Sequence, residues 1–276
     1  MTDSVEHRVS CSVTNGIADV RLNRPEKLNA LDGPMFDALI STARGLREDD
    51  RVRAVVLSGN GNGFCAGLDF ASFQAMTDAG GTPPVTAGAD PDGPAQAAGQ
   101  QAAHGWAQLP VPVIAALHGV AFGGGLQVAL GADIRLVAPG AQLSVMEIRW
   151  GLIPDMTGTQ LLPELVGRDV AKELTFTGRV VDGTEAARLR LATRAEDDPR
   201  AAALALAAEI AGKSPHAVRR AKTLLDTGGR VELAEGLAAE QRAIHELIGS
   251  PNQIEAVQAN MDKRAPEFAD TTAHDR

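Results

Sequence analysis

An α/β fold with a helical C-terminal extension is predicted by three features of the sequence. The chain opens on a hairpin pattern, then repeats the order strand, glycine turn, helix, and its last quarter is helical. Residues 9–13 and 17–22 flank Asn15-Gly16, a dipeptide that readily takes the positive φ angles of a tight turn, so an opening β-hairpin is expected. Over residues 33–48, Met35, Phe36, Leu39, Ile40, Ala43 and Leu46 recur at helical spacing. Residues 53–58 and 111–117 are short apolar runs suited to buried strands; the second leads into Gly123-Gly124-Gly125 and a helical stretch at 126–130. Two more strands are expected at 133–137 and 142–145.

From about Asp182 the pattern is wholly helical, with helices predicted at 199–211, 215–225, 231–248 and 252–263. The domain reading is therefore a core over 1–195 and a helical region over 196–276. In that region Leu233, Leu237, Ala238, Ile244, Leu247 and Ile248 suit packing either onto the core or onto another subunit, and both readings stand. Residues 77–103 are rich in Gly, Pro, Ala and Gln, which predicts a mobile surface loop.

Composition narrows the function classes. Hydrophobic residues make up 44% and charged ones 22%, an ordinary globular mix. With a net charge of -9 and a pI near 5.2, no overall field draws nucleic acid, so an anionic ligand must be met by local donors. No apolar run spans a bilayer, the N-terminal stretch Met1 to His7 is polar in character and lacks an apolar signal core, and the two cysteines, Cys11 and Cys65, show no disulfide framework, so a cytoplasmic protein is expected. His and carboxylates do not combine at metal-ligand spacing, so no metal is expected. Tyr is absent, which leaves carboxylates, His and backbone amides as candidate catalytic groups.

Two segments carry chemistry. Gly59-Asn60-Gly61-Asn62-Gly63-Phe64-Cys65-Ala66-Gly67-Leu68-Asp69 follows a strand, and small residues there permit close approach of a ligand to the backbone. Residues 118–125 also leave a strand and enter a helix at three consecutive glycines, where unpaired amides and the positive helix end suit an anion. Each glycine costs about 0.5–1 kcal/mol relative to alanine within a helix, so three together indicate a backbone that must stay bare. Two such amide sources can polarise one carbonyl from two directions.

Five stretches closely resemble the enoyl-CoA hydratase/isomerase (crotonase) family: Leu22 through Leu31, Phe64 through Asp69, Gly119 through Gly125, Glu147 through Gln160 and Met261 through Pro266. The resemblance implies a ββα spiral core and a homotrimer or dimer of trimers built through the C-terminal helices. It also implies an acyl-CoA substrate, with no cofactor beyond the coenzyme A of that substrate. Its oxyanion amides fall on Leu68 and Gly124, and its substrate and CoA contacts on Lys27, Leu28, Ala66, Asp69, Gly123, Gln127 and Trp150. Lys27, Arg24 and Lys263 supply nearby positive charge, and for each of them a solvated surface role is the competing reading.

Family hydratases use two glutamates, one at Glu147 and one where this chain carries Gln127, and an amide is neither acid nor base. Isomerisation by Glu147 is therefore favoured over hydration, with a non-catalytic acyl-CoA-binding role as a third reading. Asp155 stands where dienoyl-CoA isomerases of the family place their second acid/base residue; its alternative is a helix N-cap. For Glu147 the alternative is an ion pair with Arg149 or another cation. Trp150, Phe64, Phe70 and Phe122 are read as core or pocket wall, and His118 as a structural histidine.

Overall fold

A computed structural model describes residues 7–72, 74 and 93–272. The strands are β1 (Val9–Thr14), β2 (Ile17–Leu22), β3 (Ala54–Gly59), β4 (Val113–Leu117), β5 (Val120–Phe122), β6 (Ile134–Val137), β7 (Gln142–Ser144), β8 (Val181–Asp182) and β9 (Arg194–Ala195). β1 and β2 form the expected hairpin, with Asn15 and Gly16 at φ 51° and 77° in its turn. Six strands make the main sheet in the order β1-β2-β3-β4-β6-β9, parallel apart from the opening hairpin. A smaller sheet, β5-β7-β8, branches off beside it.

Both faces of the main sheet are covered, which is why its central strands are continuous apolar runs rather than alternating ones. Val55 and Leu57 of β3 and Val113, Ala115 and Leu117 of β4 face one core, shared with Met35, Phe36, Leu39 and Ala43 of α1 (Gly33–Glu48) and with Ala102, Ala103 and Trp106 of α2 (Ala98–Ala107). Helix α1 starts where Asp32 accepts a 2.9 Å hydrogen bond from the Met35 amide, a cap worth about 1 kcal/mol. The neighbouring positions Ala54, Val56, Ile114, Ala116 and Leu136 point the other way. The first helix of the predicted extension closes over them through Ala203 and Ala207, small side chains that bring its axis close to the sheet.

Three helices precede and follow the catalytic segment predicted from sequence: α3 (Gly124–Leu130), α4 (Gly158–Val166) and α5 (Arg168–Thr177), with the short α6 (Gly183–Arg188) after β8. The C-terminal layer is α7 (Pro199–Ala211), the helix that covers the sheet, then α8 (Pro215–Thr227), α9 (Leu233–Leu247) and α10 (Pro251–Asp262). Lys222 of α8 is buried and ties this layer to the sheet, its Nζ lying 2.6 Å from an Asp133 oxygen and 3.2 Å from the Val111 carbonyl.

Two expectations change. The chain after residue 182 is not wholly helical, because β9 pairs with β6 and completes the sheet edge; a two-residue strand is too short to leave a periodic trace in sequence. The predicted 77–103 loop includes the first six residues of α2, whose Ala98, Ala102, Ala103 and Trp106 are packed into the core. Most of that loop and the N-terminal six residues lie outside the described residues. On α9, Leu233, Leu237 and Ile244 stay exposed, as does Ile248 just beyond it, so these four do not pack onto the core of their own chain.

Candidate active site

The two glycine-rich segments lie side by side. Cys65 and Ala121 form a parallel bridge, in which the Cys65 amide donates to the Val120 carbonyl at 3.0 Å and the Phe122 amide to the Cys65 carbonyl at 3.0 Å. A third bond, from the Phe64 amide to the His118 carbonyl at 2.9 Å, extends the seam. Leu68 and Gly124 each lie three residues beyond their bridged partner. Among the described residues, neither the Leu68 amide nor the Gly124 amide donates to a backbone carbonyl. Gly124 opens α3, where the first amides of a helix have no partner within it.

Each glycine here answers to a different neighbour. A methyl group on Gly67, at φ 87°, would sit 2.7 Å from the Phe122 carbonyl oxygen and 3.7 Å from the Gly124 nitrogen. On Gly124 it would meet Met156 Sδ at 2.9 Å, and on Gly125 the Cys65 carbonyl oxygen at 2.5 Å. Gly123 takes φ 51°, and a methyl there would lie 3.4 Å from Glu147 Oε1, so this position both turns the chain and borders the carboxylate. The Gly123 amide is engaged with the Ser144 carbonyl at 2.9 Å, so its contact to a substrate, expected from the resemblance, cannot run through that N–H.

Glu147 begins the short helical turn Glu147–Trp150 directly after β7 and is 9% exposed. Its Oε1 accepts a 2.6 Å hydrogen bond from Gln127 Nε2, while Oε2 is buried and has no hydrogen-bond partner among the described residues. Burial pushes the Glu147 carboxyl above the usual carboxylate range; its own backbone amide and Gln127 pull it back, and the nearby charge of Asp155 adds to the rise. The alternative reading, an ion pair with Arg149, is not what forms: the Arg149 side chain lies against Gly178 and is exposed.

Gln127 is itself buried, and its Oε1 accepts from the amides of Met156 at 2.8 Å and Gly158 at 3.0 Å. Asp155 precedes Met156 in this turn and is exposed. It is not the cap of α4; the capping position belongs to Thr157, at φ 76° and without a side-chain cap bond. Trp150 is 49% exposed and Phe70 72%, their rings meeting edge to face at 5.5 Å, so both are surface or rim rather than core. Phe64 is fully buried, and the His118 Nε2 bonds the Gly61 carbonyl at 2.9 Å in a structural role.

A second group of predicted residues surrounds the loop after β2. Leu28 and Asn29 adopt left-handed φ of 48° and 56°, and the Ala66 amide donates to the Leu28 carbonyl at 2.9 Å. The Ala66 amide is thereby used, so a ligand contact through that N–H, like that of Gly123, is closed. Asp69 accepts the Ala71 amide on one oxygen and pairs with Arg24 on the other; the Ala71 amide foremost, with Arg24, holds its carboxyl below the usual range. Arg24 also donates to the Ala30 carbonyl at 3.2 Å, so its charge serves the fold of this loop. Lys27 is exposed beside it, and Lys263 sits at the end of α10.

Across the chain, residues 12–271 match the family model described as enoyl-CoA hydratase/isomerase. The chain belongs to the enoyl-CoA hydratase/isomerase family. It is 36% identical to the mitochondrial enoyl-CoA hydratase domain-containing protein 2 of Mus musculus over 274 residues, covering 97% of this chain and 89% of that one. To the mitochondrial methylglutaconyl-CoA hydratase of Mus musculus it is 33% identical, covering 92% and 79%. Among solved structures, an enoyl-CoA hydratase from Bacillus anthracis superimposes with a TM-score of 0.82 at 31% identity, covering 95% of this chain and 98% of that one. The family's crotonase fold is therefore the fold of this chain.

Some residues of the site had no distinguishing mark in sequence. Asn29 is fully buried and its amide donates to the carbonyls of Asn60, Gly63 and Phe64, pinning the loop before Cys65. Its φ of 56° suits Asn, which tolerates that region better than most residues. Met156, which covers Gly124, shows nothing in sequence to mark it. Cys65 is buried, with its thiol pushed up to about 12 by desolvation, whereas Cys11 is exposed. A thiol reagent at pH 8 should therefore label Cys11 and reach Cys65 only on unfolding; equal rates for both would contradict the packed seam.

Proposed function

We propose that this protein moves a proton along the acyl chain of an enoyl-CoA or dienoyl-CoA, isomerising a double bond through an enolate. The observation that carries the reading is one buried, partly unpartnered carboxylate, Glu147, whose neighbour at 127 is an amide and not a second acid. The Leu68 and Gly124 amides would receive the thioester oxygen as an oxyanion hole, a donor set whose loss typically costs about 2.7–4 kcal/mol each. Lys27, Leu28 and the Ala66 carbonyl would contact the coenzyme, and Trp150 would wall the acyl path. Coenzyme A enters as part of the substrate.

In this sequence of steps Glu147 Oε2 takes a proton from one carbon of the chain. The electron pair it leaves shifts through the conjugated system onto the thioester oxygen. The same proton returns to a carbon farther along, the oxygen charge is lost and the double bond has moved, with no water consumed. A raised carboxyl suits both halves, since the acid formed must give the proton back.

Hydration of a 2-enoyl-CoA is the second reading, favoured by the hydratase names of the two mouse relatives. Asp155 separates the two. If it delivers the distal proton on a diene, Asp155→Asn lowers 3,5-dienoyl-CoA isomerisation by about 10²-fold and leaves a one-site shift on 3-enoyl-CoA nearly unchanged. Rapid hydration of 2-enoyl-CoA that survives Asp155→Asn would reverse this ranking. The exposed apolar side chains of α9 support assembly into a trimer or dimer of trimers through the C-terminal layer, which light scattering on the intact protein would test.

A further inference from the structure

We propose that Gln127 is a positioning residue, an amide clamp of fixed polarity that turns Glu147 so that Oε2 alone serves as the base. This deepens the proton-transfer reading above and rests on it. Three hydrogen bonds carry the argument. A glutamine side chain can be flipped, its oxygen and nitrogen exchanged, unless its partners decide the matter. Here they do, because the amides of Met156 and Gly158 can only donate, so they require the Gln127 oxygen on their side. The Gln127 nitrogen is thereby aimed at Glu147 and can only donate to it, at 2.6 Å.

Two consequences follow for Glu147. The oxygen that accepts from Gln127 is engaged, and the other, buried and unpartnered among the described residues, is left as the proton acceptor. The donor also favours the ionised carboxyl, opposing the burial that would keep it neutral. The charged surroundings are sparse. Asp155 is the ionisable group whose charge reaches Glu147, α3 has no ionisable residue, and those of α4 and α5 are exposed, as is Asp182 of β8.

The clamp also acts on the far side. Helix α4 begins with no side-chain cap of its own, since Thr157 is left-handed and makes no cap bond. The Gln127 oxygen takes the first helical amide, Gly158, together with that of Met156, and so caps α4 from α3. The turn holding Asp155 is therefore fixed to the same side chain that orients Glu147. Gln127 thus sets the relation between the two carboxylates without touching a reacting atom.

The test compares wild type, Gln127→Ala and Gln127→Glu. The rate is followed by NMR as exchange of the α protons of a saturated acyl-CoA for deuterium, a reaction that needs only base and oxyanion donors. Gln127→Ala should lose about 10²-fold at neutral pH with unchanged CoA-thioester affinity by calorimetry, as expected for a misplaced base. Because that variant also uncaps α4, Gln127→Glu decides the point. Its carboxyl keeps the cap acceptor and can donate to Glu147 only while protonated, so exchange should be rescued below the pair's upper pKa and fall above it. Wild type, whose amide never loses its protons, should show no such descending limb. Wild-type rates in Gln127→Ala, or a Gln127→Glu profile that stays flat at high pH, would overturn the clamp. Should wild type exchange no protons, the proton-transfer reading fails by itself. The clamp is then read from the 13C titration of the Glu147 carboxyl, which should move up in Gln127→Ala and become two-step in Gln127→Glu; an unaltered titration overturns it.

Discussion

Glu147→Gln should reduce turnover of an enoyl-CoA by about 10³-fold or more, which corresponds to roughly 4 kcal/mol of barrier. The replacement keeps the shape of the side chain and leaves an oxygen that can still accept from Gln127 Nε2. What disappears is the basic oxygen. Substrate affinity should stay close to wild type, because the proposed thioester donors are main-chain groups of other segments. Stability should hold or rise, since a buried carboxylate lacking a counterion is costly to the fold and Gln is not charged. The wild-type pH profile follows from the same carboxyl. Only the ionised form is a base, and burial raises the pH at which it ionises, so the ascending limb should lie above the usual range for Glu, whose reference value is 4.5. A thermal melt, a kcat/KM profile and a calorimetric titration together check the four statements. Retained activity in Glu147→Gln would remove the base from this mechanism.

Gly119→Ala should be the most damaging small substitution in the site. Gly119 has φ 58°, and an added methyl would lie 1.9 Å from the Asn62 carbonyl oxygen and 2.8 Å from the Gly63 Cα. Both neighbours are backbone, so no side-chain rotation relieves the contact. The left-handed conformation alone costs a non-glycine residue about 1–3 kcal/mol, and separating the strands of the seam adds to it, giving a loss above about 3 kcal/mol. On a chain of this length that lowers the melting temperature by on the order of 10 °C. The bonds at risk are those that hold the two segments together, Phe64 amide to His118 carbonyl and Cys65 amide to Val120 carbonyl, so acyl-CoA turnover should fall before the protein melts. Gly140→Ala is the control: nothing lies within 4 Å of its added methyl, and the melt should barely change. Equal melts for the two variants would show that the segments tolerate separation.

Much of the frame was legible in sequence because its signals are local. The Asn15-Gly16 turn, the apolar spacing of α1 and the buried runs of β3 and β4 each follow from the conformational preference or burial of a few neighbouring residues. β9 was not legible, since its two residues are defined by pairing with a strand some 58 positions earlier, as in Leu136 opposite Arg194. Nor was α2, set within a stretch whose Gly and Pro content argued for a loop; the interior packing of Trp106 and its alanines overrides that composition. In the site, motif positions located Glu147, Gln127 and the glycine triplet. The polarity of Gln127 could not be read that way, as it depends on which atoms of the 156–158 turn come to face it. The same limit applies to Arg24, whose charge looked available to a ligand until its partners Asp69 and Ala30 were in view.

The parallel bridge between Cys65 and Ala121 has a metric consequence. Strands paired in a sheet keep a spacing of about 4.7–4.9 Å, which is among the least adjustable distances in a protein. Leu68 and Gly124 stand the same number of residues beyond that bridge, so the two segments that carry them are held together by main-chain bonds rather than by loop side chains. A seam held this way stays constant while the surroundings change. Under the proposed reading, exchanges at Met156, Trp150 or Phe70 would reshape the surroundings of an acyl chain and leave the main-chain donors to the thioester oxygen where they are, so new substrate preferences would be reached without rebuilding the proposed chemistry.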